Sequence, residues 1–224
     1  MSDDKTVLTI AVLGGTGSEG SGLAARWAAG GYKVIIGSRS QERAEQKAVE
    51  LNELIGAEVI SGADNYSAAA EANLIVLSVP YGAHKATLEA IGDAAQGKIL
   101  VDVTVPLQPP KVRTVHLPEG QSAALEAQAL LGDAVQVVAA FQNVSAEHLI
   151  DPNHQVDCDV LVCGNDKDAK ADVIKLVEAT GMRGLDAGRL QNAIAVESLT
   201  PVLIGLNIRY KGQGAGIRIT GLDQ

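Results

Sequence analysis

The chain has 224 residues, 46% of them hydrophobic and 20% charged, a composition ordinary for a globular protein whose core needs no disulfide or metal to support it. A net charge of −9 argues against a general nucleic-acid-binding protein, because neutralising phosphates requires a basic face. Aromatic residues make up only 3% of the chain, so it also lacks a stacking platform for single strands.

The N-terminal residues, the apolar segments and the cysteines all bear on location. The opening "MSDDKTVLTI" has acidic residues where a secretory signal has a basic region. The most apolar helical segment, residues 195–210, contains Glu197, Pro201 and Asn207, which is not typical of a membrane span. Cys158 and Cys163 are five residues apart, which on a strand places them on opposite faces, so we expect two reduced thiols. These features favour a cytoplasmic protein.

Strand and helix signals alternate over the first hundred residues. The predicted strands are "VLTIAVLG", "KVIIG", "EVIS", "NLIVLSVP" and "KILVDVTVP". The helices between them are "GSGLAARWAAG", "SQERAEQKAVELNELIG", "NYSAAAEA" and "AHKATLEAIGDA". Strands that are apolar throughout are typical of a sheet covered on both faces, and the alternation predicts a parallel arrangement.

The second half begins with a proline-containing loop over residues 107–120. The helix "SAALEAQALLG", the strand "VQVVAAF" and an irregular stretch follow, and then "DVLVCG", "DAKADVIKLVEATG" and "RGLDAG". A last helix is predicted near Asn192–Tyr210, with a glycine-rich end. We therefore predict an α/β protein with a Rossmann-like, doubly wound, mostly parallel sheet and a small C-terminal helical and Gly-rich extension. The expected units are residues 1–190, which bind the dinucleotide, and residues 191–224, which complete a substrate cleft.

A glycine-rich turn connects the first strand to the first helix. The segment "VLGGTGSEG" contains Gly15-x-Gly17-x-x-Gly20, the spacing of a dinucleotide-binding turn. In this motif we expect Gly15 to allow the tight turn, Gly17 to let the backbone approach a diphosphate, and Gly20 to permit close helix packing. The alternative is a structural turn that binds no nucleotide.

The end of the second strand indicates which dinucleotide is bound. Proteins that read NAD place an acidic residue there, but no acidic residue occurs from Lys33 to Gln41 in this chain. Ser38 and Arg39 stand there instead, and Arg43 follows one helical turn later. A guanidinium forms charge-assisted hydrogen bonds to phosphate, so we favour a site for the 2′-phosphate of NADP(H). The alternative is that both arginines are ordinary solvated charges.

Further candidates follow the later strands. Val79, Pro80 and Tyr81 come after the fourth strand, so they are expected to border the nicotinamide half of the dinucleotide. The residues after the strand "VQVVAAF", namely Gln142, Asn143 and Val144, are expected at the same edge of the sheet.

The segment from Ser198 to Leu222 has no acidic residue, so it is either a patch that attracts an anionic ligand or an incidentally basic tail. The four histidines lack the spacing of metal ligands and are expected at the surface or in loops. We expect no metal site, and no residue is assigned a catalytic acid–base role; hydride transfer requires alignment more than proton shuttling.

Five segments together resemble a known family. In chain order they are "IAVLGGTGSEGSGLAARWA", "VIIGSRSQERAEQKA", "DVLVCGNDKDAK", "LDAGRLQNA" and "VESLTPVLI". They resemble the NADPH-dependent reductases of coenzyme F-420 (also written F420), an 8-hydroxy-5-deazaflavin. The resemblance covers nearly the whole chain and implies hydride transfer between NADP(H) and the deazaflavin by a protein that is usually a homodimer.

The resemblance also implies roles for residues. Contacts to the diphosphate would come, mainly through backbone, from Thr16, Gly17, Ser18 and Glu19, and contacts to the 2′-phosphate from Ser38, Arg39 and Arg43. The nicotinamide side would be bordered by Val79, Tyr81, Ala146 and Ala215. The deazaflavin would lie against Gln142, Asn143, Val144, Ser198 and Thr200.

The hydride partner leaves alternatives open. Members of the family can carry a histidine at the position of Gln142, and a glutamine can hydrogen-bond a ring but cannot become cationic. The first alternative is an NADPH-dependent reductase of another acceptor, such as a flavin, an imine or a metal chelate. The second is a non-catalytic protein that senses NADP(H).

Overall fold

The computed structural model describes residues 8–222. The expectations about the acidic N-terminus and about a first strand starting at Val7 therefore concern residues outside the described part of the chain, as do the last two residues of the predicted extension. Within residues 8–222, eight strands form one sheet in the order β3-β2-β1-β4-β5-β6-β7-β8. The strands are β1 (Thr9–Leu13), β2 (Lys33–Ser38), β3 (Ile60–Asp64), β4 (Leu74–Leu77), β5 (Ile99–Asp102), β6 (Gln136–Ala139), β7 (Asp159–Gly164) and β8 (Arg183–Asp186).

Helices connect the strands and cover both faces of the sheet. They are α1 (Ser18–Ala29), α2 (Gln41–Ile55), α3 (Asn65–Glu71), α4 (Tyr81–Ala95), α5 (Ala123–Leu131), α6 (Ala146–Leu149), α7 (Lys167–Ala179) and α8 (Ala193–Tyr210), with a 3-10 turn over Leu190–Asn192.

The direction of the strands confirms the predicted fold class. All neighbouring pairs are parallel except β6 and β7, which pair antiparallel. The strand order reverses between β1 and β4, where the chain leaves β3 and returns to pair with β1 on its other side. In an open α/β sheet, ligands bind beyond the carboxyl ends of the strands at such a reversal. This edge is therefore the place to look for a site.

The core has two layers because side chains alternate across the sheet. Along β1, Ile10 and Val12 pack under α1, α2 and α7, whereas Ala11 and Leu13 pack under α3, α4, α5 and α8. Cys158 belongs to the first layer and Cys163 to the second, and both are free thiols. This confirms that the two cysteines face opposite sides of the sheet.

Some predicted elements differ in extent from the structure. β3 starts two residues later than "EVIS", and α4 starts at Tyr81 rather than Ala83. Part of the predicted irregular stretch forms the short helix α6. Pro201 lies inside α8. The predicted unit boundary at residue 190 coincides with the 3-10 turn before α8 and stays a prediction.

No helix among the described residues is long and apolar enough to cross a membrane.

Candidate active site

The glycine-rich turn joins β1 to α1 and is packed too tightly for side chains. Gly14 has a φ of +78°, and a Cβ on it would lie 2.3 Å from the carbonyl oxygen of Ser78. The left-handed residue of the turn is thus Gly14 and not Gly15, whose Cβ would instead lie 2.7 Å from the carbonyl oxygen of Val12. A Cβ on Gly20 would come within 2.9 Å of Gly15 Cα, which confirms the close packing expected there.

The first turn of α1 is open to an anion. Gly17 is the N-cap of α1, and no side chain caps the helix at this end. The first amides of a helix lack intrahelical acceptors and carry the positive end of its dipole. A diphosphate at this turn would satisfy them.

A cavity of about 510 Å³ opens in front of the turn, and we call it the arginine cavity. It is lined by Gly14, Thr16, Gly17, Ser38, Arg39, Ser40, Arg43, Asn65, Ser78, Val79, Pro80, Ala83 and Thr87. Arg39 and Arg43 are exposed, and neither forms an ion pair with another residue in the range 8–222. Their charges are therefore available to an anionic ligand.

Local hydrogen bonds fix the arginine side of this cavity. Ser40 is the N-cap of α2, and its Oγ accepts a hydrogen bond from the amide of Arg43 at 3.4 Å. Ser38 Oγ accepts one from the amide of Ser40 at 3.2 Å, which leaves its hydroxyl hydrogen free to donate. Arg43 is in the first turn of α2, as the sequence predicts, so helix amides and guanidinium groups face the same space.

Asn65 is a residue of this cavity that the sequence analysis missed. It begins α3 immediately after β3, beside the end of β2, and its Oδ1 is buried without a hydrogen-bond partner among residues 8–222. Buried polar atoms are nearly always paired, so an unpaired one that borders a cavity is a candidate ligand contact. Its place at the carboxyl end of a strand is the sequence signal that could have identified it.

A second cavity of about 320 Å³ adjoins the first, and we call it the glutamine cavity. Its lining residues are Gly17, Ser18, Glu19, Ser78, Val79, Pro80, Tyr81, Val103, Thr104, Val105, Leu107, Gln142, Val144, Ala146 and Thr200. The two cavities share Gly17, Ser78, Val79 and Pro80, so they border on each other at the reversal point of the sheet. They form one cleft whose arginine end is cationic and whose glutamine end carries neutral polar side chains and the carboxyl group of Glu19.

Gln142 is held in a defined orientation in the glutamine cavity. The preceding residue, Phe141, has a φ of 74°, a left-handed conformation uncommon outside glycine, and packs edge-on against Trp27. Gln142 Nε2 donates to the carbonyl oxygen of Asp102 at 2.7 Å. Because a carbonyl only accepts, the amide nitrogen must face it, and Gln142 Oε1 is left buried without a partner.

Thr200 ties the C-terminal helix to this glutamine. Its Oγ1 donates to the carbonyl oxygen of Gln142 at 2.6 Å. Residues from β5, from the turn after β6 and from α8 thus meet in one hydrogen-bonded group at the cleft.

His84 corrects the expectation that the histidines lie at the surface or in loops. It lies within α4, is only 2% exposed, and its Nε2 is 2.7 Å from Oδ2 of the fully buried Asp102. Burial lowers the pKa of His84, but its hydrogen bond to Asp102 and the nearby carboxyl groups of Asp102, Glu126 and Glu197 outweigh that effect and raise it. Because Asp102 Oδ1 also accepts from the amide of Thr104 at 3.0 Å, the pair fixes the turn after β5.

Tyr81 borders the glutamine cavity, but its hydroxyl is used elsewhere. It donates to Glu126 Oε2 on α5 at 2.9 Å. Burial, with this hydrogen bond and the charges of Glu126 and Glu197, raises the pKa of Tyr81 to about 12. Its phenol therefore stays protonated at neutral pH.

Other predicted residues do not line either cavity. Gly15 and Gly20 are buried supports of the turn. Asn143 donates through Nδ2 to the carbonyl oxygen of Asp159, Ser198 Oγ donates within α8 to the carbonyl oxygen of Ile194, and the Ala215 amide donates to Asn207 Oδ1.

The basic C-terminal segment is bound along β7. The amide of Asp159 donates to the carbonyl oxygen of Ile217 at 2.8 Å, and Arg218 pairs with Asp157 at 3.1 Å. Arg209, Lys211 and Arg218 do not line the arginine or the glutamine cavity.

Comparison with known proteins gives a consistent result. Residues 9–106 match the family described as NADP oxidoreductase, coenzyme F420-dependent. The chain is 44% identical to the F420-dependent NADP reductase of Methanothermobacter thermautotrophicus over 97% of both chains. It is 43% identical to the F420-dependent NADP reductase of Methanocaldococcus jannaschii, over 96% of this chain and all of that one.

A solved structure shares the fold over the whole chain. A protein from Arthrobacter sp. FB24, provisionally assigned as an F420-dependent NADP reductase, superposes with a TM-score of 0.79 at 29% identity. The match covers 95% of this chain and 99% of that one. With relatives this similar over nearly its full length, the chain belongs to the family of F420-dependent NADP reductases.

Proposed function

We propose that this protein transfers a hydride between NADP(H) and the deazaflavin coenzyme F-420 in the cleft formed by the arginine and glutamine cavities. The observation that carries the proposal is the direct contact between these cavities. One offers two unpaired guanidinium groups, and the other offers the buried, unpaired Oε1 of Gln142. Family membership gives the reaction class, and the distribution of charged and polar groups in the cleft supports placing NADP(H) and the deazaflavin at different ends.

The arginine cavity suits the phosphorylated half of the dinucleotide. Ser38, Arg39 and Arg43 surround the space beyond β2, where they would hold the 2′-phosphate. A phosphate there gains charge-assisted hydrogen bonds from both guanidiniums and one from the serine hydroxyl. The diphosphate would then reach the free amides of α1 at Thr16 to Glu19.

The glutamine cavity suits two stacked rings. Val79, Pro80, Tyr81 and Ala146 would border the nicotinamide. The remaining lining residues that face the deazaflavin in this proposal are Gln142, Val144 and Thr200. Because Gln142 Nε2 is held by Asp102, its Oε1 would accept a hydrogen bond from a ring N–H of the deazaflavin.

Alignment is the main contribution of the protein in this mechanism. Hydride transfer requires donor and acceptor carbons at roughly 3–3.5 Å, and the two ring sites must therefore be rigid. The hydrogen bonds of Thr200 and Asp102 to Gln142 supply that rigidity. The apolar side chains of Val103, Val105 and Leu107 line the same cavity and keep water from the rings.

The proposal includes a cytoplasmic homodimer. On α8, Val202, Leu206 and Tyr210 are 47%, 42% and 74% exposed and recur every four residues, so they form one apolar stripe. An exposed apolar stripe of this kind is typical of an interface. Two buried cysteines that remain thiols suit a reducing compartment.

Nicotinamide absorbance measures the proposed reaction directly. Purified protein is mixed with NADPH and, in separate reactions, with the oxidised deazaflavin, a flavin, an imine and a ferric chelate. We expect turnover with the deazaflavin. Turnover only with another acceptor would replace the substrate, and tight NADPH binding without turnover on any acceptor would favour a sensor of NADP(H).

A further inference from the structure

The carboxyl group of Glu19 stands at the diphosphate turn without a charged partner. Glu19 is the second residue of α1, in the turn whose free amides are offered to an anion, and it lines the glutamine cavity beside Gln142 and Thr200. Among residues 8–222, no hydrogen bond or ion pair involves its carboxylate. An ionised carboxyl at this position would repel an anionic ligand bound to those amides.

The charged groups on the elements packed against α1 do not neutralise it. On α2, Lys47 and Glu50 pair with each other. Arg43 on α2 and Arg39, which precedes that helix, line the arginine cavity but not the glutamine cavity. On α6, Glu147 adds a further negative charge, and the His148 ring is directed to the carbonyl oxygen of Gly214.

The other charged groups around α1 lie near the C-terminal end of the helix, away from Glu19. There Arg26 bonds backbone carbonyls, and α7 meets the helix where Trp27 Nε1 donates to the carbonyl oxygen of Leu176. Tyr81 borders the cleft as a neutral phenol bonded to Glu126.

Partial burial of Glu19 opposes ionisation of its carboxyl even before a ligand binds. Burial raises the pKa of Glu19 to about 8. A diphosphate on the amides of the same turn would place two negative charges beside the carboxyl. Like charges at this range disfavour ionisation further, so the bound complex should hold the proton more firmly than the free protein.

We infer that Glu19 enters the dinucleotide complex as a neutral carboxylic acid and makes binding of NADP(H) dependent on proton uptake from solvent. In that form its O–H donates a hydrogen bond to the ligand instead of repelling the diphosphate. This inference rests on the proposed dinucleotide site and adds a determinant of cofactor affinity to it. Glutamine is the neutral isostere that would mimic the bound form permanently.

The test is the pH dependence of NADPH binding in the protein and in Glu19→Gln. Below pH 8 the free carboxyl already carries its proton, so the Kd should be nearly constant. Above pH 8 the Kd of the unmodified protein should rise about tenfold per pH unit, because each binding event must first restore one proton. Ligand phosphates titrate near pH 6, so the window from pH 7.5 to 9.5 avoids them.

Calorimetry in two buffers of different ionisation enthalpy counts the protons. At pH 9 we expect nearly one proton taken up per NADPH bound in the unmodified protein and none in Glu19→Gln, whose Kd should stay flat. In Glu19→Ala the Kd for NADPH should likewise be independent of pH. This second variant keeps the test decisive if Glu19→Gln fails to fold. The matched control is Glu53→Gln, which changes an exposed carboxyl on α2 outside both cavities. Its Kd for NADPH should depend on pH as in the unmodified protein.

Two results would overturn the inference and are distinguishable. If Glu19→Gln binds NADPH with the slope and proton uptake of the unmodified protein, another group carries the proton and the dinucleotide site stands. If the unmodified protein binds no NADPH at any pH, the dinucleotide site itself fails, and this inference fails with it.

Discussion

Thr200 Oγ1 donates a hydrogen bond of 2.6 Å to the carbonyl oxygen of Gln142, across a separation of 58 residues in the chain. This contact joins α8 to the turn that follows β6, and the same glutamine is fixed from the other side by the Asp102 carbonyl. The C-terminal helix is thereby part of the cleft and not an appendage to it. Gln142 is thus held through its side chain by β5 and through its backbone by α8.

Replacing Thr200 by valine should weaken deazaflavin binding selectively. Valine keeps the shape but loses the donor, and a net hydrogen bond of about 1 kcal/mol corresponds to roughly a fivefold rise in the KM for the deazaflavin. The KM for NADPH should stay within about twofold, because the proposed contacts to the 2′-phosphate lie in the other cavity. Steady-state kinetics with each substrate varied in turn measures both values.

Ser198→Ala is the informative companion variant. Ser198 Oγ is occupied by the carbonyl oxygen of Ile194 within α8, so its loss should change the deazaflavin KM less than Thr200→Val does. An equal or larger effect at Ser198 would restore it to the substrate-binding role that the family resemblance implies and would contradict the geometry described here.

Reversing the charge of Arg39 should discriminate between the two nicotinamide cofactors. In Arg39→Glu we expect the Kd for NADPH to rise by about 10- to 150-fold, since a hydrogen bond between charged groups is worth about 1.5–3 kcal/mol. The Kd for NADH should change little or even fall, because a carboxylate can bind the ribose hydroxyls. Fluorescence titration with both cofactors gives the comparison, and Arg189→Glu, an exposed arginine outside both cavities, is the control. Equal losses for both cofactors would mean that Arg39 does not contact the 2′-phosphate.

Much of the fold could be predicted from the sequence because the signals are local. Apolar strands, helix-ending glycines and the strand–helix alternation give the parallel sheet, and the structure confirms it. The glycine turn and the Ser38–Arg39 pair follow strands directly, so their place at the carboxyl edge follows from chain direction alone. The antiparallel pairing of β7 could not be predicted, because strand direction after a long irregular segment depends on tertiary contacts.

The rest of the site could not be predicted because it depends on contacts between distant residues. Nothing near His84 in the sequence indicates that its ring meets Asp102 inside the protein. The left-handed backbone of Phe141 is decided by packing against Trp27, and sequence preferences argue against it. Asn65 becomes a candidate only when its Oδ1 is found buried and unpaired at the cavity.

Arg26 should be essential to stability although it lies outside the cleft. It is 4% exposed, and its guanidinium donates to five backbone carbonyl oxygens, four of them in the segment that carries α6 and the loop after it. The acceptors are the carbonyl oxygens of His148, Leu149, Asp151, His154 and Thr180. Arg26→Met should lower the free energy of unfolding by about 3–5 kcal/mol, because several buried acceptors lose their donor.

Urea denaturation measures this loss of stability. Two further variants test whether it comes from the hydrogen bonds of the Arg26 guanidinium. Arg26→Lys should recover only part of the stability, since an ammonium cannot reach acceptors spread around a planar guanidinium. The exposed control Arg189→Met should change stability by no more than about 0.5 kcal/mol. A loss of the same size at both arginines would contradict the role assigned to Arg26.

The apolar stripe of α8 should control the oligomeric state. Leu206→Glu places a charge in the middle of the stripe, between Val202 and Tyr210, and a charge is costly to bury in an interface. Light scattering coupled to gel filtration should show a dimer for the unmodified protein and a monomer for Leu206→Glu. Val49→Glu, at an apolar position on α2 that is 57% exposed, should remain dimeric. A monomer in the unmodified protein, or dimers in all three, would exclude this stripe as the interface.

Glu197 should make the stability of the protein fall as the pH rises. Its carboxyl is 2% exposed and accepts hydrogen bonds from the amides of Ala123 at 2.7 Å and Ala124 at 3.1 Å, at the start of α5. Burial raises the pKa of Glu197 to about 8, and the two amide donors oppose that effect only in part. The folded protein therefore keeps a proton that the unfolded chain releases above its ordinary pKa of about 4.5.

The sign of the effect follows from proton linkage. Between pH 4.5 and 8 the folded state binds more protons than the unfolded state, so the free energy of unfolding should decline by up to about 1.4 kcal/mol per pH unit. Glu197→Gln removes this titration. At pH 5 the variant should be less stable than the unmodified protein, because its side-chain NH₂ faces a backbone amide that is also a donor. Its stability should decline less toward pH 8. Urea denaturation at pH 5, 6.5 and 8 measures the slopes, with Glu53→Gln as the exposed control that keeps the original one. Equal slopes in the unmodified protein and in Glu197→Gln would show that this carboxyl is ionised in the folded protein, with the amides of α5 stabilising its charge.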